Sequence, residues 1–145
     1  PVHDARMMAM LFYRTAGSFK EKFNRTVNEN LGIPNVESWL LHHGFQLENR
    51  FHLQSYKMVN HLLSTLDIIR DRGAFRDVAP LIKSNIIQIG IDSDFFFVAE
   101  ENIETKNILD ELGIKNTYKE IKSIHGHDGF LVEDDQLKEL LKDVF

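Results

Sequence analysis

Hydrophobic positions in the first half of the chain recur at helical spacing. A dense group of apolar residues after Asp4 predicts a first helix that is buried on more than one side. A second helix is predicted from Ser18, because Ser18 and Glu21 have the spacing of a capping box and Phe19 and Phe23 share one helical face. The pattern therefore predicts that the chain opens with two helices.

Two more helices are expected before residue 80. Asn35 is placed to cap a short helix that stops at Gly44, and a longer helix is predicted over about residues 51–66. No alternation typical of a strand or hairpin appears in this half. The first half is therefore predicted to be all-helical.

The pattern changes after Pro80. Residues 85–91 form a short apolar run rich in β-branched side chains, which is typical of a strand buried on both faces of a parallel sheet. A helix that ends at Gly113, a strand over residues 117–121 and a final amphipathic helix follow. Two such strands leave edges and apolar faces uncovered, so the rest of the sheet is expected from a preceding segment or from another chain. The fold class is α/β.

Composition and charge narrow the possible partners. The chain has 145 residues, no cysteine, a net charge of −5 and no block of Lys and Arg, which argues against a nucleic-acid or anionic-membrane surface. No segment reaches the roughly 20 apolar residues that span a bilayer, and the lack of cysteine fits a cytoplasmic protein. The sequence begins at Pro1 without Met, which suggests a chain cut from something longer.

Two loops carry the candidate chemistry, because functional groups in open α/β sheets collect at the carboxyl ends of the strands. The Asp loop (residues 92–94) follows the first predicted strand, and the His loop (residues 123–130) follows the second. Asp94 followed by His127 matches the last two members of the α/β-hydrolase order Ser, Asp, His. The G-x-S-x-G turn that would carry the Ser is missing from the sequence, which fits a chain that starts after the nucleophile.

Several motifs in the same order resemble those of homoserine O-acetyltransferases. Residues 89–96 are similar to "G-I-x-S-D-x-L-F" and residues 126–131 to "G-H-D-x-F-L". In the helical half, residues 5–14 are similar to "A-R-x-x-A-x-x-x-Y-R", residues 22–25 to "R-F-x-R" and residues 67–73 to "D-V-x-R-x-R-G". The resemblance spans nearly the whole chain.

The resemblance implies the carboxy-terminal portion of an α/β-hydrolase fold with an inserted all-helical lid. Residues 1–78 would be the lid and residues 79–145 the last strands and helices of the core, with the core's amino-terminal part and its Ser outside this chain. Family members acylate the Ser from acetyl-CoA, a co-substrate, and pass the acetyl group to L-homoserine without a cofactor or metal. A homodimer joined through the lids is also implied.

The same resemblance assigns four residues. Asp94 would orient His127, and His127 would be the general base and general acid of each transfer. Asp128 would contact the amino group of the acceptor. Arg14 would bind the acceptor's carboxylate, a task suited to its two-pronged guanidinium.

The sequence departs from the family at two places, which leaves alternatives open. His52 stands where the family usually has Asp, and Phe97-Val98 replaces the usual Pro after the Asp loop. Related enzymes acylate serine or use succinyl-CoA, and the same triad cleaves esters when water reaches the acyl-enzyme. A non-enzymatic interaction subunit that lacks the catalytic half is a further alternative.

Two other chemistries match the loops poorly. Residues 125–128 read H-G-H-D, but the trailing His of the binuclear metal motif H-x-H-x-D-H is missing. Residues 92–94 match the D-x-D pattern of phosphotransferases, but Phe96 stands two positions later, where a hydroxyl or β-branched residue is expected. Adjacent His42 and His43 point about 100° apart on a helix and make a poor chelating pair.

Overall fold

Helices dominate the first of two units into which the chain divides. In the computed structural model, which describes residues 1–144, this unit is Pro1–Leu66 and the second begins at Asp67. The first unit contains, in chain order, α1 (Val2–Tyr13), α2 (Ala16–Phe23), β1 (Val27–Asn28), β2 (Ile33–Pro34), α3 (Asn35–Arg50) and α4 (Leu53–Thr65).

Helix α2 begins earlier than its predicted capping box. Thr15 is the N-cap residue, and its side chain accepts a hydrogen bond from the Ser18 backbone N–H at 3.0 Å. Ser18 therefore lies inside the helix, where it is almost fully buried. The prediction of a cap at Ser18 was wrong because Thr15 supplies the acceptor that the first turn needs.

Helix α3 continues through Gly44 instead of stopping there. A Cβ atom on Gly44 would lie 2.6 Å from Cδ2 of His3, a distance that atoms do not tolerate. Gly44 is therefore a packing position that lets α1 approach α3. The predicted Asn35 cap was also wrong, since α3 has no side-chain cap and the Asn35 amide donates to Thr26 Oγ1 at 2.7 Å.

A small antiparallel hairpin, β1–β2, interrupts the helices where no strand was predicted. Asn28 Oδ1 holds its turn by accepting from the backbone N–H groups of Asn30 and Leu31, each at 3.2 Å. Gly32 has a φ of 67°, which favours glycine. Strands of two residues are too short to show alternation, so the sequence pattern missed them.

The second unit contains the predicted parallel strands. Its elements are α5 (Phe75–Val78), a 3-10 turn (Ala79–Leu81), β3 (Ile86–Ile91), α6 (Ala99–Glu111), β4 (Asn116–Ile121), a second 3-10 turn (Gly126–Asp128), α7 (Gly129–Val132) and α8 (Asp134–Leu141). Strands β3 and β4 pair in parallel, from Ile86 opposite Asn116 to Ile91 opposite Ile121. The predicted β-α-β arrangement is confirmed.

The core of this unit lies where α6 packs against the ends of the strands. Leu109 and Ile121 are almost completely buried. Among the described residues, only Gly90 and Ile91 of β3 are buried and its first four residues are partly exposed, so burial of β3 on both faces stays a prediction. Among residues 1–144, β4 is the single strand that pairs with β3, so one edge of β3 has no neighbour.

The predicted domains stay a prediction, with residues 1–78 assigned to a lid and residues 79–145 to the core. Phe145 lies outside the described residues. Over the described part of the chain, every helix is too short or too polar to cross a membrane.

Candidate active site

The Asp loop and the His loop meet because their strands run in parallel and end at the same edge of the sheet. The Asp94 N–H donates to the Ile91 carbonyl at 3.1 Å, which turns the chain sharply at the end of β3. The Asp92 N–H donates to the Ile121 carbonyl at 3.1 Å, which continues the β3–β4 pairing by one bond. The two loops therefore lie together at the carboxyl ends of the parallel strands, as the strand order predicted.

Asp94 and His127 form a hydrogen-bonded pair. His127 Nδ1 lies 2.9 Å from Asp94 Oδ2, and the two side chains are only 21% and 5% exposed. The other carboxylate oxygen, Oδ1, accepts from the backbone N–H groups of Phe96 at 2.7 Å and Phe97 at 3.0 Å. Because a carboxylate accepts hydrogen bonds, this contact favours the tautomer of His127 that donates from Nδ1 and carries its lone pair on Nε2.

Aromatic rings surround the His127 imidazole. The ring centroids of Phe96, Phe97 and Phe130 lie 5.2–5.8 Å from it in edge-on or tilted contacts. Asp94 and His127 also line a cleft of about 360 Å³ together with Ile89, Gly90, Ile91, Phe97, Asn102, Ile121, Phe130 and Leu137. The Asp94–His127 pair therefore lies at the border of a largely apolar recess, where electrostatic interactions are stronger than in water.

The other two predicted site residues lie in different units. Asp128 follows His127 directly, in the 3-10 turn, and is 8% exposed. Arg14 lies in the first unit, where α1 ends at Tyr13 and Arg14 takes an extended conformation. Its guanidinium donates to Ser18 Oγ at 3.4 Å.

Asp92 and Ser93 contact the His loop, a feature that the sequence analysis missed. Asp92 Oδ1 accepts from the Ser123 N–H at 3.0 Å, and Ser93 Oγ accepts from the Gly126 N–H at 3.0 Å. The only signal in the sequence is that three polar residues follow a buried strand without a gap. That pattern is equally typical of an ordinary turn.

The polar side chains of Tyr118, Glu120 and Lys122, on β4 and directly after it, are joined by hydrogen bonds. Burial, followed by the hydrogen bond that Tyr118 donates to Glu120 at 3.0 Å, raises the pKa of Tyr118 to about 12. The hydrogen bond from Lys122 lowers the pKa of Glu120. Gly90 belongs to the same arrangement, since a Cβ there would lie 2.6 Å from Tyr118 Oη. The tyrosine thus packs across β3 at the position where β3 has no side chain.

The metal alternative gains no support from the histidines. No group of three His, Cys, Asp or Glu side chains within residues 1–144 is arranged to hold a metal ion. His127, which the H-G-H-D reading would use as a ligand, bonds to Asp94 through Nδ1.

Comparisons with known proteins point to one family name. No family model matches the chain. The homoserine O-acetyltransferase of Cyclobacterium marinum is 35% identical over 97% of this chain, and that of Salinibacter ruber is 37% identical over 94%. The matches cover 39% and 38% of those proteins, so the chain spans less than two fifths of the length of these two relatives.

The fold comparison agrees. The crystal structure of homoserine O-acetyltransferase from Bacillus anthracis superposes with a TM-score of 0.78 at 17% identity, over 94% of this chain and 38% of that one. At that identity the likeness concerns the fold, which is part of an α/β-hydrolase fold. The resemblance indicated by the motifs is therefore confirmed: over nearly all its length, the chain is similar to a portion of the homoserine O-acetyltransferases.

Proposed function

We propose that this chain supplies the acid–base half of an acyltransferase site that moves an acetyl group from acetyl-CoA to the hydroxyl of L-homoserine. The observation that carries the proposal is the bond of 2.9 Å between Asp94 and His127, formed by two loops at the carboxyl ends of parallel strands. The relatives that align with nearly all of this chain, at 35% and 37% identity, bear the name of that activity.

The proposed reaction is a double displacement. His127 Nε2 takes the proton of a serine hydroxyl as the serine attacks the thioester carbonyl, and then gives the proton to the CoA sulfur as the C–S bond breaks. In the second half, His127 takes the proton of the homoserine hydroxyl as it attacks the acyl-serine, and returns the proton to the serine oxygen. The nucleophile would lie outside these residues, which contain no G-x-S-x-G turn.

Asp94 would keep the imidazole in the reactive tautomer. Its oxygen Oδ1 is held by two backbone N–H groups, which leaves Oδ2 for His127 Nδ1. Because the imidazole becomes an imidazolium in each half-reaction, the fixed carboxylate stabilises the charged intermediate as well as the orientation.

Two further residues would bind the acceptor. Asp128, a buried carboxylate beside His127, would pair with the amino group of homoserine, and Arg14 would pair with its carboxylate. Residues 1–78 would form the helical lid domain, and two copies would associate through their lids in the cytoplasm. The assignments of Arg14 and Asp128 rest on the matching motifs of residues 5–14 and 126–131.

The test is the rate of CoA release by the full-length gene product with homoserine, with serine and without an acceptor. Homoserine-dependent release that falls at least about 1,000-fold in His127→Ala, but not in the exposed-helix control His61→Ala, would support the proposal. Release that is equal with and without an acceptor would indicate an esterase. Release with serine only, or with succinyl-CoA only, would move the assignment to those relatives.

The acceptor residues are tested separately. Arg14→Lys keeps the charge but loses the two-pronged geometry, so the KM for homoserine should rise about tenfold while the KM for acetyl-CoA changes little. Asp128→Asn should also raise the KM for homoserine and change the KM for acetyl-CoA little. An equal rise in both KM values would contradict the assignments of Arg14 and Asp128 but not those of Asp94 and His127.

A further inference from the structure

One hydroxyl ties together the residues that precede Asp94 and His127. Ser93 stands directly before Asp94, and Gly126 stands directly before His127. Ser93 Oγ donates to the Ser123 carbonyl at 2.5 Å and accepts from the Gly126 N–H at 3.0 Å. The two loops are therefore joined one residue away from the Asp94–His127 bond.

The Ser93 hydroxyl takes the place of a turn hydrogen bond. Ser123 and Gly126 are three residues apart, the separation at which a tight β-turn closes with a direct bond from N–H to carbonyl. Here the hydroxyl is inserted between them and satisfies both groups with its one donor and one of its lone pairs. Gly126 is the last residue of this turn, has a φ of 66° and directly precedes His127.

The start of the His loop and the residue just before it, Lys122, have anchors of their own. Asp92 accepts from the Ser123 N–H at 3.0 Å. The Gln136 side chain of α8 accepts from the Lys122 N–H at 3.0 Å and donates to the Lys122 carbonyl at 2.8 Å. Loss of the Ser93 hydroxyl would thus leave the start of the loop fixed and remove the bonds that join residue 93 to the turn before His127.

We propose that Ser93 is a positioning residue, whose hydroxyl fixes the turn before His127 and so sets the geometry of the Asp94–His127 pair. The assignment of His127 to catalysis rests on the proposed function, whereas the hydroxyl's control of the loop does not. Ser93 is not the missing nucleophile, because its proton goes to a backbone carbonyl and not to an imidazole.

The kinetic test compares Ser93→Ala with Ser93→Thr, which keeps a hydroxyl, and with Ser64→Ala, a control whose hydroxyl bonds only within its own exposed helix. We expect Ser93→Ala to lower kcat by about 100-fold through misplacement of the imidazole. The KM values for acetyl-CoA and homoserine should stay within about threefold, because the hydroxyl bonds to two backbone groups of the His loop. Ser93→Thr should recover most of the lost rate. A rise in KM without a fall in kcat would overturn the proposal.

The second readout is the NMR signal of the His127 Nδ1 proton, which needs no turnover. We expect a low-field resonance in the unaltered protein that is broadened or lost in Ser93→Ala and restored in Ser93→Thr. A sharp, unshifted resonance in Ser93→Ala would overturn the positioning role even if the protein showed no acetyl transfer. An inactive parent protein with the resonance pattern we expect would instead contradict the proposed function alone.

If Ser93→Ala fails to fold, Ser93→Cys replaces it. The thiol is larger than the hydroxyl and a weaker hydrogen-bond donor, so it keeps a polar group at this position but weakens both bonds. We expect Ser93→Cys to have a kcat below that of the unaltered protein but above the roughly 100-fold lower value of a protein with a misplaced imidazole. A kcat equal to that of the unaltered protein would contradict the inference.

Discussion

Replacing Asp94 with Asn separates the catalytic use of the carboxylate from its structural use. The Asn side chain keeps one oxygen, which can still accept from the backbone N–H groups of Phe96 and Phe97. Its NH₂ group then faces His127 Nδ1, which must give up its hydrogen in order to accept. The proton moves to Nε2, and the imidazole can no longer act as a base there.

The size of the effect follows from that change. Loss of the correct tautomer in a Ser-His-Asp site lowers kcat by about 10,000-fold, which corresponds to about 5 kcal/mol of activation free energy. The free energy of unfolding should change by no more than about 1 kcal/mol, since both backbone donors keep a partner. Asp94→Ala removes all three bonds and leaves two N–H groups without an acceptor, at about 1–3 kcal/mol each.

The assay is the initial rate of homoserine-dependent CoA release, together with urea unfolding of each variant. Asp77→Asn is the matched control, because Asp77 also accepts from a backbone N–H, that of Ala74 at 2.9 Å, but has no histidine partner in the described structure. The control should keep the parental rate. An Asp94→Asn rate within about tenfold of the parental rate would refute the role of the carboxylate in setting the tautomer.

Three further predictions concern the fold. Gly90→Ala should destabilise the protein by about 1–3 kcal/mol in urea unfolding, because the new Cβ would lie 2.6 Å from Tyr118 Oη, and equal loss in a Tyr118→Phe background would contradict the clash. His52→Asp should stabilise it by about 1 kcal/mol, since His52 is the N-cap of α4 and makes no side-chain cap bond; an unchanged unfolding midpoint would contradict this. Tyr118, with its pKa raised from 10.0 to about 12, should contribute stability that is complete below pH 10 and is lost as the pH rises towards 12, so an alkaline tyrosinate titration in which Tyr118→Phe removes no component near 12 would refute the shift.

Local patterns predicted the second unit well, for physical reasons. A β-branched run marks β3, and Gly113, with a φ of 68°, marks the end of α6. The burial of β3 on both faces stays a prediction, because burial depends on neighbouring strands and β3 has a single partner strand among the described residues. In the first unit, Gly44 misled the prediction because its role is tertiary packing against His3, which local sequence does not reveal.

The site was predicted in part. Chain order and strand ends brought Asp94 and His127 to one edge, and the structure places them in hydrogen-bond contact. Their catalytic roles, and those of Arg14 and Asp128, remain predictions. The contacts of Asp92 and Ser93 could not be predicted, because they depend on the exact register of two loops that are about 30 residues apart in sequence.

The most direct measurement is the mass of the full-length gene product after incubation with acetyl-CoA alone and after addition of homoserine. The account predicts that the protein gains one acetyl group, that homoserine removes it and appears as its O-acetyl ester, and that His127→Ala gains none. A protein that never carries the acetyl group while homoserine is acetylated, or a His127→Ala variant that is acetylated as fast as the parent, would contradict the proposed role of the Asp94–His127 pair.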